Sequence, residues 1–389
     1  MNNIIRLTIQ NPKAIKICLI FGTRPEAIKM APVFMALSKQ PEFHVKTVVT
    51  AQHREMLDQV LELFGWRPDD DLNIMTPGQT LAEVTSRVLE RLTPILQTER
   101  PDLILVHGDT ATTFAASLAA FYLKIPVAHI EAGLRTGDPW QPYPEEMNRI
   151  LTGHIAELHF APTAQARANL LRENIQSSRI LVTGNTVIDA LQYCKGLLPK
   201  DQNDSPDRWI LVTAHRRENW GQPLENMIIA FKRILGAYPE VHFLIPMHRN
   251  PVVREIFRHG LGNEPRVRLV EPFDYREMVA AMSQAYLVIT DSGGIQEEAP
   301  SLGKPVLVLR DKTERPEAVV AGTVKLVGTD PERIWAAAEI LLSDSKAYQR
   351  MAQALNPYGD GLAAKRILAG LRFSCGLSNQ LPEEFTCLQ

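Results

Sequence analysis

Cysteine is scarce in this chain, and long apolar runs are absent. Cys18, Cys194, Cys375 and Cys387 are the only four in 389 residues, and none sits in a C-x-x-C or C-x-x-H spacing. Neither a disulfide framework nor a zinc site is indicated, so no metal is expected and a reducing cytosol is the expected compartment. No stretch approaches the roughly 18 charge-free apolar residues of a membrane span. The start, MNNIIRLTIQNPKAIKICLIFG, lacks the basic, apolar and small-residue layout of a secretory leader, and reads as a ragged start followed by a strand. An excess of one charge is missing too: 42 Lys and Arg against 44 Asp and Glu leave a net charge of −2. No global field therefore invites nucleic acid or an anionic membrane, and an anionic ligand must be caught by local groups.

What is present is an ordinary globular composition, with 45% apolar and 22% charged residues. At about 100–200 residues per domain the length predicts two domains. Short apolar runs alternate with longer helical patterns, the signature of parallel α/β sheets. In the first half the expected strands are Ile17–Phe21, Val45–Thr50, Leu103–Val106, Val127–Ile130 and His159–Ala161, followed by Thr23-Arg24, Gln52-His53, His107-Gly108-Asp109 and Glu131-Ala132-Gly133. Ligands of open α/β sheets lie beyond the carboxyl ends of strands, so this clustering marks one sheet edge as a site. The second half repeats the pattern with Ile210–Thr213, Val241–Ile245, Val267–Val270, Leu287–Thr290 and Val306–Leu309, and a helix over about 223–235. The polar stretch LPKDQNDSPD at 198–207 places the boundary before or within it. Residues 379–389 are expected to form a disordered tail.

Three groups of residues suit chemistry. Gly22-Thr23-Arg24-Pro25-Glu26 follows a strand and opens a helix, so amides and the helix dipole meet an anion there, with Arg24 and Lys29 adding charge; the plainer alternative is a tight turn with solvated basic residues. Asp291-Ser292-Gly293-Gly294 repeats the arrangement, with Glu298 one turn into the helix where it suits a ribose diol; the alternative is N-capping by Ser292 or Asp291. His215, Arg216, Arg217 and Arg315 are candidates to neutralise a diphosphate. The carboxylates Asp109, Glu131, Glu145 and Glu146 follow strands of the first half and suit acid and base work; as alternatives, Asp109 is an N-cap and the Glu145 and Glu146 pair simply opens a helix. Asp69-Asp70-Asp71 reads as a solvated loop.

The strings FGTRPEAIKMAPV (21–33), TAQHREMLDQVL (50–61), HGDT (107–110), HIEAGLRTGD (129–138), PYPEEMNR (142–149), GNTVIDAL (184–191), TAHRREN (213–219) and TDSGGIQEEAPSLGKPVLVLRDKTERPEAV (290–319) closely resemble the non-hydrolysing UDP-N-acetylglucosamine 2-epimerases, and the resemblance runs from about Ile15 to Leu371. It implies an α/β fold of the glycosyltransferase-B type, with two Rossmann-like domains facing across a cleft. Residues 1–185 would form the first, completed by a C-terminal helix at about 362–378, and residues 186–361 the second, UDP-binding one. It further implies interconversion of UDP-GlcNAc and UDP-ManNAc by a cytoplasmic homodimer without a cofactor, supplying cell-envelope or capsule polysaccharide. The family's catalytic groups fall on Asp109, Glu131, Glu145 and His215. Its substrate contacts fall on Arg24, Lys29, Phe273, Met278, Ser292, Gly293, Gly294, Glu298 and Arg315. Some relatives bind a second UDP-GlcNAc as activator through residues at the positions of Gln52, Glu55 and Gly78. Only Gln52 matches that pattern, so such activation is not implied here. A glycosyltransferase on the same scaffold, a hydrolysing epimerase and a catalytically silent UDP-sugar sensor remain the alternatives.

Overall fold

The structure is a computed structural model that describes residues 4–9, 14–50, 54–76, 78–199, 207–313 and 315–387, without the side chains of 54–56. Gln52 and most of the polar stretch at 198–207 lie outside the described residues, as does the side chain of Glu55. Contacts divide the chain into one unit of Met1–Ala190 with Tyr358–Leu388 and another of Leu191–Pro357.

In the first unit the strands are β1 (Ile15–Phe21), β2 (Phe43–Val49), β3 (Asp70–Asp71), β4 (Leu103–His107), β5 (Val127–Ile130), β6 (Leu158–Ala161) and β7 (Ile180–Val182). They form one parallel sheet in the order β3-β2-β1-β4-β5-β6-β7. The chain reverses direction across the sheet between β1 and β4, so the loops after these two strands part and leave a crevice at their carboxyl ends. The helices are α1 (Arg24–Leu37), α2 (Arg54–Leu63), α3 (Leu81–Glu99), α4 (Ala111–Tyr122), α5 (Glu145–Ile155), α6 (Ala164–Arg172) and α7 (Thr186–Gly196), within which the division between units falls.

Helix α3 shows how local sequence sets these elements. Thr80 and Glu83 close its start as a capping box, the Thr80 amide donating to Glu83 Oε2 at 2.7 Å. Val84, Val88, Leu92 and Leu96 recur at four-residue spacing and are all buried, against Cys18, Ile20, Ile104 and Val106 of the sheet. Each such side chain contributes about 1.5–3 kcal/mol by leaving water.

The second unit repeats the scheme with β8 (Arg208–Thr213), α8 (Gln222–Ala237), β9 (Val241–Pro246), α9 (Pro251–Leu261), β10 (Val267–Val270), α10 (Tyr275–Gln284), β11 (Leu287–Thr290), α11 (Gly293–Ser301), β12 (Val306–Val308), α12 (Pro316–Val320), β13 (Val324–Leu326), α13 (Pro331–Ser343) and α14 (Ser345–Ala352). Its sheet order, β10-β9-β8-β11-β12-β13, is again all parallel and reverses between β8 and β11. The core beneath α8, α9 and α13 is built from Phe231, Ile234, Phe243, Phe257, Ile289 and Leu307, among others. The last helix, α15 (Ala363–Ser374), belongs to the first unit and packs on α1.

Three expectations change. Asp69-Asp70-Asp71 is solvated, with Asp69 and Asp71 exposed, but is not all loop: Asp70 and Asp71 pair with Val48 and Val49, and Asp69 Oδ2 accepts from the amide and hydroxyl of Thr47 at 2.7 and 2.9 Å. The outer edge of β2 supplies donors that an acidic run satisfies, which composition alone does not reveal. The described part of the tail, 379–387, is not disordered, because Glu384 pairs with Arg167 and the Phe385 amide bonds Val182. The described part of the ragged start is held as well: the Ile5 and Leu7 amides donate to Ser178 and Ser374 carbonyls, both at 2.7 Å.

Gly133 follows β5 at a position only glycine fits. Its φ is +91°, and a Cβ there would lie 2.3 Å from the Ala166 carbonyl oxygen. Gly133→Ala is expected to destabilise the fold by at least about 2 kcal/mol, read from chemical denaturation. An unchanged denaturation midpoint would contradict this close approach.

Candidate active site

The site residues of the first unit gather at the ends of β1, β4 and β5. Glu26, near the start of α1, is buried and accepts from the Gly22 and Thr23 amides at 3.1 and 2.8 Å and the Thr23 hydroxyl at 2.7 Å. Its other oxygen accepts from the Thr110 and Thr113 hydroxyls at 2.8 and 3.1 Å. One carboxylate thus ties the turn after β1, which carries Arg24, to the turn after β4, which carries Asp109. Burial pushes the Glu26 carboxyl up, against these hydrogen bonds.

Asp109 is not the N-cap of α4; Thr110 is, accepting from the Thr113 amide at 3.2 Å. The Asp109 side chain is 28% exposed and accepts from Arg149 Nη2 at 2.6 Å, and its backbone oxygen accepts from Asn148 Nδ2 at 3.0 Å. Arg149 is itself buried and lies 3.3 Å from Glu146 Oε2, whose partner oxygen accepts the Thr136 and Gly137 amides, both at 3.0 Å. Glu146 is therefore fully enclosed as a buttress, and Glu145, the first residue of α5, stays half-buried beside it. The helix opens behind two cis peptide bonds, at Pro142 and Pro144.

Glu131 sits directly after β5 with φ +62°, a left-handed conformation unusual for a residue with a side chain. Its carboxylate forms an ion pair with Lys29 and accepts from Asn185 Nδ2 at 2.7 Å, with His107 Nε2 3.8 Å away. Lys29, expected among the substrate contacts, thus lies on the carboxylate of Glu131. Burial pushes the His107 imidazole down to about 3, which makes it a neutral neighbour at ordinary pH. A Cβ on Gly108 would lie 3.8 Å from Glu131 Oε1, so Glu131 reaches back to the residue before Asp109.

In the second unit the counterpart lies at the ends of β8 and β11. Asp291, completely buried, accepts from the His215 and Arg216 amides and from Asn219 Nδ2, all at 2.9 Å. It is thus a clamp on the loop after β8 and not a helix cap. Its second oxygen lies 3.3 Å from His215 Nδ1, which orients the ring and turns Nε2 away from the clamp. The His215 side chain is 41% exposed and stacks on His248. Burial, then His215 itself, pushes the His248 imidazole down.

Ser292 is the N-cap of α11, but its hydroxyl makes no capping bond, and Gly293 and Gly294 open the helix without side chains over the amides. An anion placed there meets both the amides and the helix dipole. Arg315 is buried, with Nε donating to Glu297 Oε1 at 2.5 Å, so its guanidinium is held in one orientation. Glu298, one turn on, is buried too. Phe273 and Met278 are half-buried at positions flanking the Asp274 cap of α10, the N′ and N4 places where a hydrophobic staple forms.

Reading the sequence missed Glu26, Arg149 and Asn185 as supporting groups and underrated Glu146. Each lies inside a quoted motif, so a signal existed, but the key partner stands 40 positions away for Arg149, 54 for Asn185 and 84 for Glu26. Among the described residues no group of three or more His, Cys, Asp or Glu is disposed to hold a metal ion, and no helix is long and apolar enough to cross a membrane.

Known proteins share this sequence and fold. A family model described as UDP-N-acetylglucosamine 2-epimerase matches residues 35–372. UDP-N-acetylglucosamine 2-epimerase of Bacillus subtilis is 54% identical over 96% of this chain and 99% of its own, and that of Salmonella typhimurium 57% identical over 92% and 98%. A crystal structure of UDP-GlcNAc 2-epimerase from Neisseria meningitidis, bound to UDP-GlcNAc, matches with TM-score 0.85 and 50% identity over 92% of this chain and 99% of that one. A glycosyltransferase of kitacinnamycin, 14% identical with TM-score 0.58, shares the fold alone, the two Rossmann-like domains of the glycosyltransferase-B kind. With half or more of its residues shared over nearly its whole length, and the motif residues gathered at two sheet switch points, this chain belongs to the UDP-N-acetylglucosamine 2-epimerase family.

Proposed function

We propose that this enzyme reversibly inverts C2 of UDP-N-acetylglucosamine to give UDP-N-acetylmannosamine, by eliminating and re-adding UDP. The observation that carries the reading is the pair of carboxylates after neighbouring strands, Asp109 and Glu131, each held by its own buried cation. The bound UDP-GlcNAc of the Neisseria relative supports the choice of substrate.

The chemistry explains why such a site is needed. The C2 hydrogen of the sugar has no adjacent carbonyl to acidify it, so direct abstraction at neutral pH faces a prohibitive barrier. Breaking the C1–O bond with its electron pair leaving on the diphosphate builds positive charge at C1 and acidifies C2. A carboxylate takes that proton, leaving 2-acetamidoglucal with a C1–C2 double bond beside UDP. Delivery of a proton to the opposite face of C2 and return of the UDP oxygen to C1 complete the inversion. Asp109, Glu131 and Glu145 share the base and acid roles, since two faces need two groups. Arg24, His215, Ser292 and Arg315, with the Gly293 and Gly294 amides, stabilise the negative charge growing on the diphosphate. Glu298 takes the ribose diol, and Phe273 and Met278 flank the base. Lys29 serves as a substrate contact and, as the ion partner of Glu131, fixes where that carboxylate sits.

We assign the chain to the cytoplasm as a homodimer that feeds cell-envelope or capsule polysaccharide synthesis. The test is incubation with UDP-GlcNAc in D2O, without added metal, followed by NMR of the sugar C1 and C2 protons. UDP-ManNAc with deuterium at C2 of both UDP-sugars is expected. Free sugar and UDP alone would replace this reading with the hydrolysing reaction; no change would remove both.

A further inference from the structure

The last described residues fold onto the open edge of the first sheet, and through it they reach the support of Glu131. β7 is the edge strand. On its outer side the Phe385 amide donates to the Val182 carbonyl at 2.8 Å, and the Val182 amide donates to Glu384 Oε1 at 3.3 Å. Both Glu384 oxygens accept from Arg167 Nη1, at 2.9 and 2.8 Å. Phe385 is buried, and its ring lies under the Arg366 guanidinium, which donates to the Thr183 carbonyl at 3.2 Å and pairs with Asp360 at 2.7 Å.

The three residues after β7 are enclosed by these contacts. Gly184 has φ +83°, and a Cβ there would stand 3.4 Å from Gly359 Cα and 3.6 Å from Phe385 Cγ. The Asn185 amide donates to the Tyr358 carbonyl at 2.6 Å, and its Oδ1 accepts from the Val187 amide at 3.1 Å. With backbone and Oδ1 committed, the side chain has one orientation left, and in it Nδ2 donates to Glu131 Oε2 at 2.7 Å. An edge strand needs only a cover. This cover also bears on the turn that aims Asn185.

We propose that Glu384 and Phe385 form a strap that positions Glu131 through the Thr183–Asn185 turn, with Asn185 as the positioning residue. The proposal rests on the reading of Glu131 as a reacting carboxylate. A loose strap lets the turn relax, and Glu131 then spends less time aligned with C2, which lowers kcat and spares UDP binding by the second unit's groups.

The experiment measures kcat, KM and UDP affinity for Asn185→Ala, Phe385→Ala, Phe385→Leu, Glu384→Gln and the double variant Asn185→Ala with Phe385→Ala, alongside backbone amide exchange over 183–187. Asn185→Ala is expected to lose at least about tenfold in kcat and Phe385→Ala about fivefold, with UDP affinity within twofold and Phe385→Leu restoring most of the rate. The double variant is expected to be no slower than Asn185→Ala alone, because both changes break one linkage. Losses that multiply, or kcat within twofold in both Phe385→Ala and Glu384→Gln, would overturn the strap. Should Phe385→Ala fail to fold, Glu384→Gln decides, since it keeps the volume and removes the negative charge that pairs with Arg167. If the parent enzyme shows no exchange at C2, the epimerase reading fails by itself. Amide exchange then tests the strap: faster exchange over 183–187 in Glu384→Gln sustains its hold on the turn, and unchanged exchange ends the proposal.

Discussion

Asp109→Asn is expected to slow deuterium entry at C2 of UDP-GlcNAc by at least about 100-fold, a barrier increase of about 2.7 kcal/mol, while leaving UDP affinity within about threefold. The variant is a clean one. Arg149, which donates to Asp109 Oδ2, keeps Glu146 3.3 Å away as a second anion, so the change does not strand a buried cation. The amide is nearly isosteric and can still accept from Arg149 through its oxygen, so the turn after β4 keeps its shape. What it loses is the capacity to take and return a proton. Exchange within tenfold of the parent would remove Asp109 from the acid and base roles.

Glu131→Gln makes an instructive contrast. It takes the charge out of the buried ion pair with Lys29, and breaking a buried pair is destabilising. This variant should therefore lose stability as well as activity. Comparing exchange from UDP-GlcNAc with exchange from UDP-ManNAc in the two variants assigns each carboxylate to a face of the sugar.

The second large effect is on stability in acid. Burial pushes three imidazoles of adjacent strands well below their ordinary 6.5: His107 to about 3, His129 to about 4 and His159 to about 3. His129 and His159 are direct cross-strand partners, so a proton on one further disfavours a proton on the other. Each folded value lies below the unfolded one, so the unfolded chain takes the proton first. The stability each neutral imidazole provides is complete above pH 6.5 and is lost as the pH falls toward the folded value. The slope is about 1.4 kcal/mol per pH unit for each histidine.

Two carboxylates oppose this trend. Asp189, mostly buried where it accepts from the Ala363 and Ala364 amides, is raised to about 6, and Glu26 is raised by burial. Both favour the folded state more as acid protonates them. A single-site comparison isolates the histidine contribution. Replacing His159 by Leu should shift the stability difference between variant and parent by about 2 kcal/mol in the variant's favour between pH 8 and pH 5, whatever its sign at pH 8. Denaturant unfolding at the two pH values measures it. A difference that does not move with pH would mean that His159 takes up its proton as readily in the folded protein as in the unfolded chain.

Local residue pattern alone sets the strand cores and where chemistry begins. Leu103–Val106, Val127–Ile130, Ile210–Val212 and Leu287–Ile289 are fully buried and apolar apart from His129, because inner strands of a parallel sheet are covered on both faces, and each strand stops where the backbone meets solvent at the carboxyl edge. The residues after those stops, Asp109, Glu131, His215 and Ser292, were legible for the same local reason. Three of the four edge strands were not: β3, β7 and β13 are only two or three residues long, too short for a pattern to stand out, whereas the fourth, β10, has the expected bounds.

Tertiary structure decided the pairings. Lys29 and Glu131 stand 102 positions apart, Arg149 and Asp109 40, Glu384 and Val182 202. Periodicity and turn chemistry act over a few residues. They carry no record of which strand lies beside which. Lys29 looks like a ligand-binding cation from the sequence because its helix opens at an anion-binding turn. The order β1-β4-β5 then places Glu131 within its reach, and a buried ammonium with a carboxylate at hand takes it, because leaving either charge unpaired in the interior costs more than the pair loses in water.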